Sequence, residues 1–261
     1  MNANGKHLQR LTHNDVSDTL PSWSPDGTRI AFTSGRSGDY EVHVIDLATL
    51  AVTQLTGLVG EKGAGAPHWS PDGTQIVYEK FISNRVKRRP GFRSGFSHKN
   101  IYVMSAKGED QLPVLPDPKP GSDTVIMRFY PCWSADSKRL VFLDCTWKGK
   151  DQKCKISVMR IGGKVQVLQD IHDKLGNDAL TSGIRWIEND TALLFALRKM
   201  DNPNAKVYNL YRYEFETRTI KRLTHTLINE KQPDWIEGPL SVSPQGKLPT
   251  LWGEKKQTFS Q

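Results

Sequence analysis

Ser24 and Asp26 stand two residues apart beside Trp23, in the stretch PSWSPDGTRIAF of residues 21–32. A hydroxyl next to a carboxylate is raw material for nucleophilic or acid–base catalysis. The pair returns as Ser70 and Asp72 in PHWSPDGTQIVY (67–78) and as Ser134 and Asp136 in PCWSADSKRLVF (131–142). A weaker copy, IRWIENDTALLF, occupies 184–195, and QPDWIEGPLSVS, 232–243, holds a fifth tryptophan. An enzyme needs one active site, whereas five eroding copies of a motif mark a repeated building unit. The tryptophans at 23, 69, 133, 186 and 235 are spaced by 46, 64, 53 and 49 residues. A period of about 40–50 residues with strand-like content is the signature of a β-propeller.

In Ser-Pro-Asp-Gly, proline sets φ for the second position of a type I turn and aspartate tolerates the third. Glycine supplies the positive φ that closes the hairpin. Ser24 and Asp26 are therefore read as turn residues, with Trp23 packed between blades. A strand follows each turn: RIAF (29–32), QIVY (75–78), RLVF (139–142), ALLF (192–195) and LSVS (240–243). A third strand comes next, as EVHVIDL (41–47), NIYVMSA (100–106), KISVMRI (155–161), NLYRYEFE (209–216) and LPTLWGEK (248–255), rich in β-branched and aromatic residues. A fourth follows four of the tryptophans: VTQLTG (52–57), QLPVLP (111–116), VQVLQD (165–170) and IKRLTH (220–225). HLQRLTH, residues 7–13, supplies the fifth from the other end. The expected fold is all-β: one domain over 1–261, a β-propeller of five four-stranded blades. The outer strand 7–13 would close the ring by completing the last blade, 232–256, which removes a sheet edge. A six-bladed parent from which one blade is missing is the alternative.

The 261 residues are 37% hydrophobic and 25% charged, an ordinary globular balance. A net charge of +8 points to an anionic partner without naming one. No apolar run approaches the ~18 residues of a membrane span. The start, MNANGKHLQRLTHND, lacks the apolar stretch of a signal peptide. The chain is thus expected to be cytoplasmic if Met1 is the native start, or a trimmed mature form otherwise. Cys132, Cys145 and Cys154 are too few for a disulfide framework and have no zinc spacing, so no cofactor and no metal are expected. Cys145 and Cys154 flank TWKGKDQK and face each other across that hairpin. They are expected as a disulfide in an exported protein and as thiols in the cytosol.

WSPDGTRIAFTSGRSGDYEVHVIDL, residues 23–47, closely resembles the WD40-like repeats of the TolB propeller, which also occur in prolyl-oligopeptidase-type enzymes. The resemblance covers nearly the whole chain and fades after the second unit. It implies a propeller, and a periplasmic or secreted location for a trimmed form. Two departures limit it. TolB has six blades and an N-terminal domain. The peptidases carry a G-x-S-x-G nucleophile elbow, which this sequence lacks.

In a propeller, function sits on loops at one face or in the channel mouth. The second-to-third-strand loops vary most: 34–40, 80–99, 144–154, 198–207 and 244–247. The SPDG turns lie on the opposite face. Segment 80–99, KFISNRVKRRPGFRSGFSHK, holds seven Lys or Arg and no acid. Arg85, Lys87, Arg88, Arg89 and Arg93 interleave with Phe92 and Phe96, as in a cationic arm with aromatic platforms for a polyanion. The plain alternative is a solvated loop. Lys148, Lys150, Lys153, Arg198, Lys199 and Lys206 are expected on the same face.

The second candidate is the ring of residues before each tryptophan: Ser22, His68, Cys132, Arg185 and Asp234. The inner strand is expected to begin there and aim them at the channel mouth, as a ligand site or as water-filled lining. His68 is one histidine where acidic-glycan lyases with TolB-like propellers use several; His98, His172 and His225 are on loops that approach the mouth. Asp15, Asp18, Asp123, Asp173, Asp178 and Glu230 are scattered through connections, without a spaced glycosidase pair. The reading is a monomeric, non-catalytic binding propeller for a protein or an anionic ligand such as an acidic glycan. Nucleic acid is a further candidate that no motif supports. The alternative is a lyase or hydrolase acting on acidic sugars.

Overall fold

The computed structural model describes residues 9–57, 63–82, 98–119, 124–149, 151–176, 180–198, 207–225 and Pro233. Strands β1 (Asp18–Trp23), β2 (Arg29–Ser34), β3 (Glu41–Asp46) and β4 (Val52–Gln54) form the first antiparallel unit. β5 (Ala64–Trp69), β6 (Gln75–Ile82), β7 (His98–Ser105) and β8 (Leu112–Pro113) form the second. The third comprises β9 (Thr124–Trp133), β10 (Arg139–Lys148), β11 (Asp151–Arg160) and β12 (Val165–Val167). A short helix, α1 (Gln169–Leu175), leads to the fourth: β13 (Leu180–Ile187), β14 (Ala192–Arg198), β15 (Asn209–Glu214) and β16 (Ile220–Arg222). The second and third units are joined by one parallel bridge, Lys99 to Met127, so they form a continuous eight-stranded sheet.

The apolar runs after the turns are continuous rather than alternating because both faces of each unit are covered. Ala31, Val42 and Val44 pack on Trp69, Ile76, Tyr78 and Met104 of the second unit. The opposite side chains of that unit, Val77, Ile101 and Val103, pack on Trp133, Leu140 and Phe142. Val141, Leu143 and Ile156 then meet Trp186, Leu193, Phe195 and Tyr211. The core is therefore a series of layers between units.

Each junction is fastened by the tryptophan of the following unit. The Trp133 indole Nε1 donates to the His68 carbonyl at 3.2 Å, and that of Trp186 to the Cys132 carbonyl at 3.3 Å. At the first junction the Trp69 amide donates instead to Ser22 Oγ, 3.2 Å away. Arg29 lies 4.6 Å over the Trp69 ring and Arg139 lies 4.8 Å over Trp186, a cation–π contact made from the same strand position of the first and third units. Trp69, Trp133 and Trp186 are 3%, 3% and 7% exposed.

The turns repeat as closely. The hydroxyls of Ser24, Ser70 and Ser134 donate to Asp26, Asp72 and Asp136 at 2.5, 2.6 and 2.5 Å. Each serine also accepts the amide of Arg29, Gln75 or Arg139 at 2.9 Å. The Ser24 hydroxyl, seconded by the Thr28 amide, holds Asp26 down at about 2. The hydroxyl–carboxylate pairs are spent on turns. The fourth unit's turn differs: Glu188, Asn189 and Asp190 all take positive φ, and Asp190 accepts the Ala135 amide and the Arg139 guanidinium of the preceding unit.

Each of the four described inner strands carries a bulge three residues before its tryptophan. Leu20, Ala66, Tyr130 and Gly183 occupy the left-handed region at φ 52°, 50°, 54° and 79°, and the register shifts there. The Ala66 amide reaches Thr33 Oγ1 at 2.9 Å and the Tyr130 amide reaches Glu79 Oε1 at 2.8 Å, each in the preceding unit. Pro21, Pro67 and Pro131 follow the left-handed residue. Proline is tolerated because the channel side of an inner strand needs no ladder donor.

Several expectations are corrected. Residues 9–13 form no strand, and Leu11 instead packs on Ile30, Phe32 and Ile45 of the first unit. His7, Leu8 and nearly all of 232–256 lie outside the described residues, and the described sheets do not close a ring. Trp23 is 55% exposed, and the blade expected to pack on it lies outside the described residues. Residues 144–148 and 151–154 are no loop: β10 and β11 run ten paired positions, from Arg139 with Arg160 to Lys148 with Asp151. His172 and Asp173 lie on α1, and Asp18 opens β1.

The indole contacts predict graded effects. Trp133→Phe should cost about 1–2 kcal/mol by leaving the His68 carbonyl unpaired. Trp133→Ala should cost about 3–5 kcal/mol through the cavity it leaves. Urea unfolding checks both.

Candidate functional site

The meander sets two faces. First-to-second-strand turns lie at one end of each unit; second-to-third-strand loops and the connections between units lie at the other. At the loop end the third unit departs from its neighbours. Its first three strands have ten residues each, against six in the first unit, so β9, β10 and β11 extend as an arm. Cys145 and Cys154, directly paired across β10 and β11, form a disulfide with an S–S length of 2.03 Å. Cys132 is free and buried. Lys148 and Lys153 are exposed near the tip, with Asp151 between them.

The arm meets the second unit in two side-chain clusters. In one, Lys99 Nζ pairs with the buried Glu79 carboxylate at 2.7 Å. Its ammonium lies 4.4 Å from the Phe81 ring and 4.7 Å from Phe129, with Trp147 edge-on to Phe129 at 6.5 Å. Phe81, Phe129 and Trp147 are half-buried. In the other, Arg128 donates to Asn100 Oδ1 at 2.6 Å and lies 3.4 Å from Asp144. Burial pushes the Asp144 carboxyl above the ordinary range, against the opposing pull of Arg128. Asn100 and Tyr102 both donate to Asp117, at 2.7 and 2.6 Å.

Between the first two units a small cavity is lined by Glu41, Thr56, Gly57, Gly63, Tyr78, Lys80 and Gln111. Its carboxylate is already engaged: Glu41 accepts the Thr56 hydroxyl at 2.6 Å and the Gly63 amide at 2.8 Å. Gly57, at φ 74°, fits because any Cβ there would stand 2.5 Å from the Glu41 carboxyl carbon. At the start of the first unit, burial raises Asp18, but hydrogen bonds from Ser34, Asn14, Thr12 and Arg36 outweigh it and hold the carboxyl at about 2.

The ring of residues before the tryptophans lies elsewhere than expected. Ser22, His68, Cys132 and Arg185 are at or near the ends of β1, β5, β9 and β13, beside the turns. The inner strand ends there rather than begins, so the ring is at the far end of the unit from the long loops. The His68 ring contacts the Trp69 carbonyl, Cys132 donates to the Trp133 carbonyl, and Arg185 donates to the Ile184 carbonyl. The structure strings these residues from unit to unit through the tryptophan contacts. Asp234 lies outside the described residues, as do Arg85, Lys87, Arg88, Arg89, Phe92 and Arg93. Ile82 and His98, on either side of that basic segment, pair with each other at the loop end of β6 and β7. Sequence reasoning missed Phe81, Lys99, Phe129 and Trp147; alternation within YPCW-bearing β9 was the signal that could have extended that strand. Among the described residues, no three His, Cys, Asp or Glu side chains group as a metal site.

Two histidines link this region to pH. His98, 1% exposed, accepts the Ile126 amide at Nδ1, while its Nε2 has no hydrogen-bond partner. His172 accepts the Ile156 amide at Nε2, 2.9 Å away. Burial holds both rings below the ordinary 6.5, so the folded state binds fewer protons than the unfolded one. Their contribution is present above that value and is lost as pH falls towards the folded-state values. The urea midpoint should therefore drop between about pH 7.5 and 5.5, with a shallower drop in His172→Gln. Separately, reduction should add two hydrogens to the intact mass. Cys145→Ser/Cys154→Ser should lose about 2–3 kcal/mol, by the loop-closure argument for a separation of 9 residues.

Residues 1–90 match the TolB β-propeller domain family. No curated protein matches the chain in sequence. Among solved structures it is similar to a putative TolB from Agrobacterium tumefaciens, with 16% identity and a TM-score of 0.58. That alignment covers 83% of this chain and 65% of the other, so the chain spans under two thirds of that protein. An oligogalacturonate lyase in complex with manganese aligns with 16% identity and a TM-score of 0.50, over 82% of this chain and 68% of its own. The tricorn protease aligns with 13% identity and a TM-score of 0.53, over 80% and 22%. Such identities carry the fold and leave the activity to the site. Residues 1–90 thus match the TolB β-propeller domain, and the described architecture is similar in fold to TolB-like propellers.

Proposed function

We propose that this propeller has five blades and works as a non-catalytic binding module, taking a protein or an anionic ligand such as an acidic glycan on its loop face. The observation that carries the reading is the disulfide-fastened arm of the third blade. It carries exposed Lys148 and Lys153 near its tip, while Lys99 lies over Phe81 and Phe129 at its base, on the side where β6 and β7 flank the basic segment. Cations over aromatic surface suit an anionic ligand with apolar faces. Arg85, Lys87, Arg88, Arg89, Phe92 and Arg93 would extend that surface. Ser22, His68, Cys132, Arg185 and Asp234 would sit at the other end of the channel, beside the turns.

A second reading, a lyase or hydrolase acting on acidic sugars, draws on Asp144. A carboxyl raised by burial is suited to protonate a leaving group. Turnover of oligogalacturonate separates the two, since the binding reading predicts none. For the binding module, heparin is the probe. Affinity should fall steeply with salt, and Arg88→Ala/Arg89→Ala should reduce the log–log salt slope by about one per cation removed. Salt-independent binding, or no binding, would count against it.

A further inference from the structure

Each third strand meets the outer strand of its blade through an equivalent residue. The carbonyls of Val42, Ile101, Ile156 and Leu210 receive the amides of Leu55, Val114, Leu168 and Leu223 at 2.8, 2.9, 3.0 and 2.8 Å. The amides of the same four residues are each taken by a side chain. In the first and fourth blades the acceptor is a hydroxyl: Thr56 Oγ1 for Val42 and Thr224 Oγ1 for Leu210, both at 2.9 Å. In the second it is Asn100 Oδ1, 2.9 Å from the Ile101 amide. None of these acceptors titrates near neutrality. The third blade differs. Gln169 follows Leu168 where threonine follows Leu55 and Leu223, and α1 brings in His172, whose Nε2 accepts the Ile156 amide at 2.9 Å.

The other flank of the third blade uses the same chemistry. Where β9 runs beside β7, the Ile126 amide donates to His98 Nδ1 at 3.0 Å, next to the Lys99–Met127 bridge and the Arg128–Asn100 bond. A neutral imidazole accepts through one nitrogen; a second proton turns that nitrogen into a donor. It would then face an N–H, and the bond is lost. The arm of β9, β10 and β11 is thus held on both sides by bonds that acid removes. Its own strand ladders and the Cys145–Cys154 bond are indifferent to that proton, so the arm stays in one piece.

The charges around the two rings leave this sign intact. Lys80 and Arg128 stand on the strands beside His98, and the carboxylates there are engaged: Glu79 by Lys99, Asp144 by Arg128, and Asp117 by Asn100 and Tyr102. Lys155 opposes a charge on His172, while Asp173 and Asp170 favour one. Asp173 accepts from Gln169 and Asp170 from the Tyr213 hydroxyl. Burial is the largest influence on both rings and holds them below 6.5. Asp144 works the other way: burial raises its carboxyl, so its contribution grows towards acid.

We propose that the third-blade arm is an acid-released element: protonation of His98 and His172 frees the Ile126 and Ile156 amides and loosens the arm from both flanks, while the hydroxyl-capped blades stay closed. This is independent of what the loop face binds and of how many blades complete the ring.

The test is amide hydrogen exchange of the full chain at about pH 7.5 and 5.5, each rate divided by the intrinsic rate at that pH. Protection of Ile126 and Ile156 should fall about tenfold, as one proton taken up per opening below 6.5 requires. Val42 and Leu210 should change by less than about twofold. His98→Asn and His172→Gln place a carbonyl that does not titrate near each accepting nitrogen. Each should keep its own amide protected across the window and leave the fall at the other. The unsubstituted chain reports as well: the His98 and His172 ring carbons should titrate over the range in which the two amides lose protection. Protection of Ile126 and Ile156 that is flat with pH overturns the proposal. So does a fall shared equally by Val42 and Leu210, or a fall at Ile156 that persists in His172→Gln.

Discussion

The indole of each following blade, held by the blade before it, is the contact on which the architecture depends. A four-stranded unit with apolar residues on both faces cannot be stable alone. Burying one tryptophan removes on the order of 200 Å² from water, about 5 kcal/mol at 25 cal/mol/Å². The direction of the indole bond decides which neighbour provides that burial. Nε1 of Trp133 and Trp186 meets a carbonyl one blade back, and Arg29 and Arg139 of the preceding blade lie over the Trp69 and Trp186 rings. The left-handed bulges place a backbone amide beside Thr33 and Glu79, giving a second fastening at the first two junctions.

These fastenings divide the molecule by task. The turn face is consumed by structure: three serine–aspartate pairs close hairpins, and Asp190 ties the fourth turn to the third. The loop end varies more, since the tryptophan contacts that fasten the described junctions lie near the turn end. The long strands of the third blade, their disulfide and the lysine held between Phe81 and Phe129 all lie there. Variation on a rigid repeat is how propellers acquire a binding surface.

Much of the fold was legible because its signals are local. Tryptophan spacing, Ser-Pro-Asp-Gly turns and doubly apolar strands identify the repeat without any long-range contact. The inner strands were harder to see, since Pro21 and Pro67 break alternation in DTLPSW and AGAPHW. That is why Ser22 and His68 were placed at the start of a strand they in fact end. Leu20, Ala66 and Tyr130 take positive φ without being glycine, which no propensity reveals. The lysine-rich KGKDQK read as a loop, because the cross-strand pairing and the Cys145–Cys154 bond that hold it as hairpin are tertiary facts. Helix α1 has Leu168 at its N-cap and no side-chain cap, so its start carries no sequence signal.

The central claim is that the repeated residues build the molecule and the loop face does its binding. Amide hydrogen exchange of the full chain with and without a heparin-derived oligosaccharide tests it most directly. The account predicts added protection at the loop ends of β9, β10 and β11, over 126–128 and 144–155, and none at the turns 24–28, 70–74 and 134–138. Protection centred on those turns, with the third-blade arm unchanged, would contradict it.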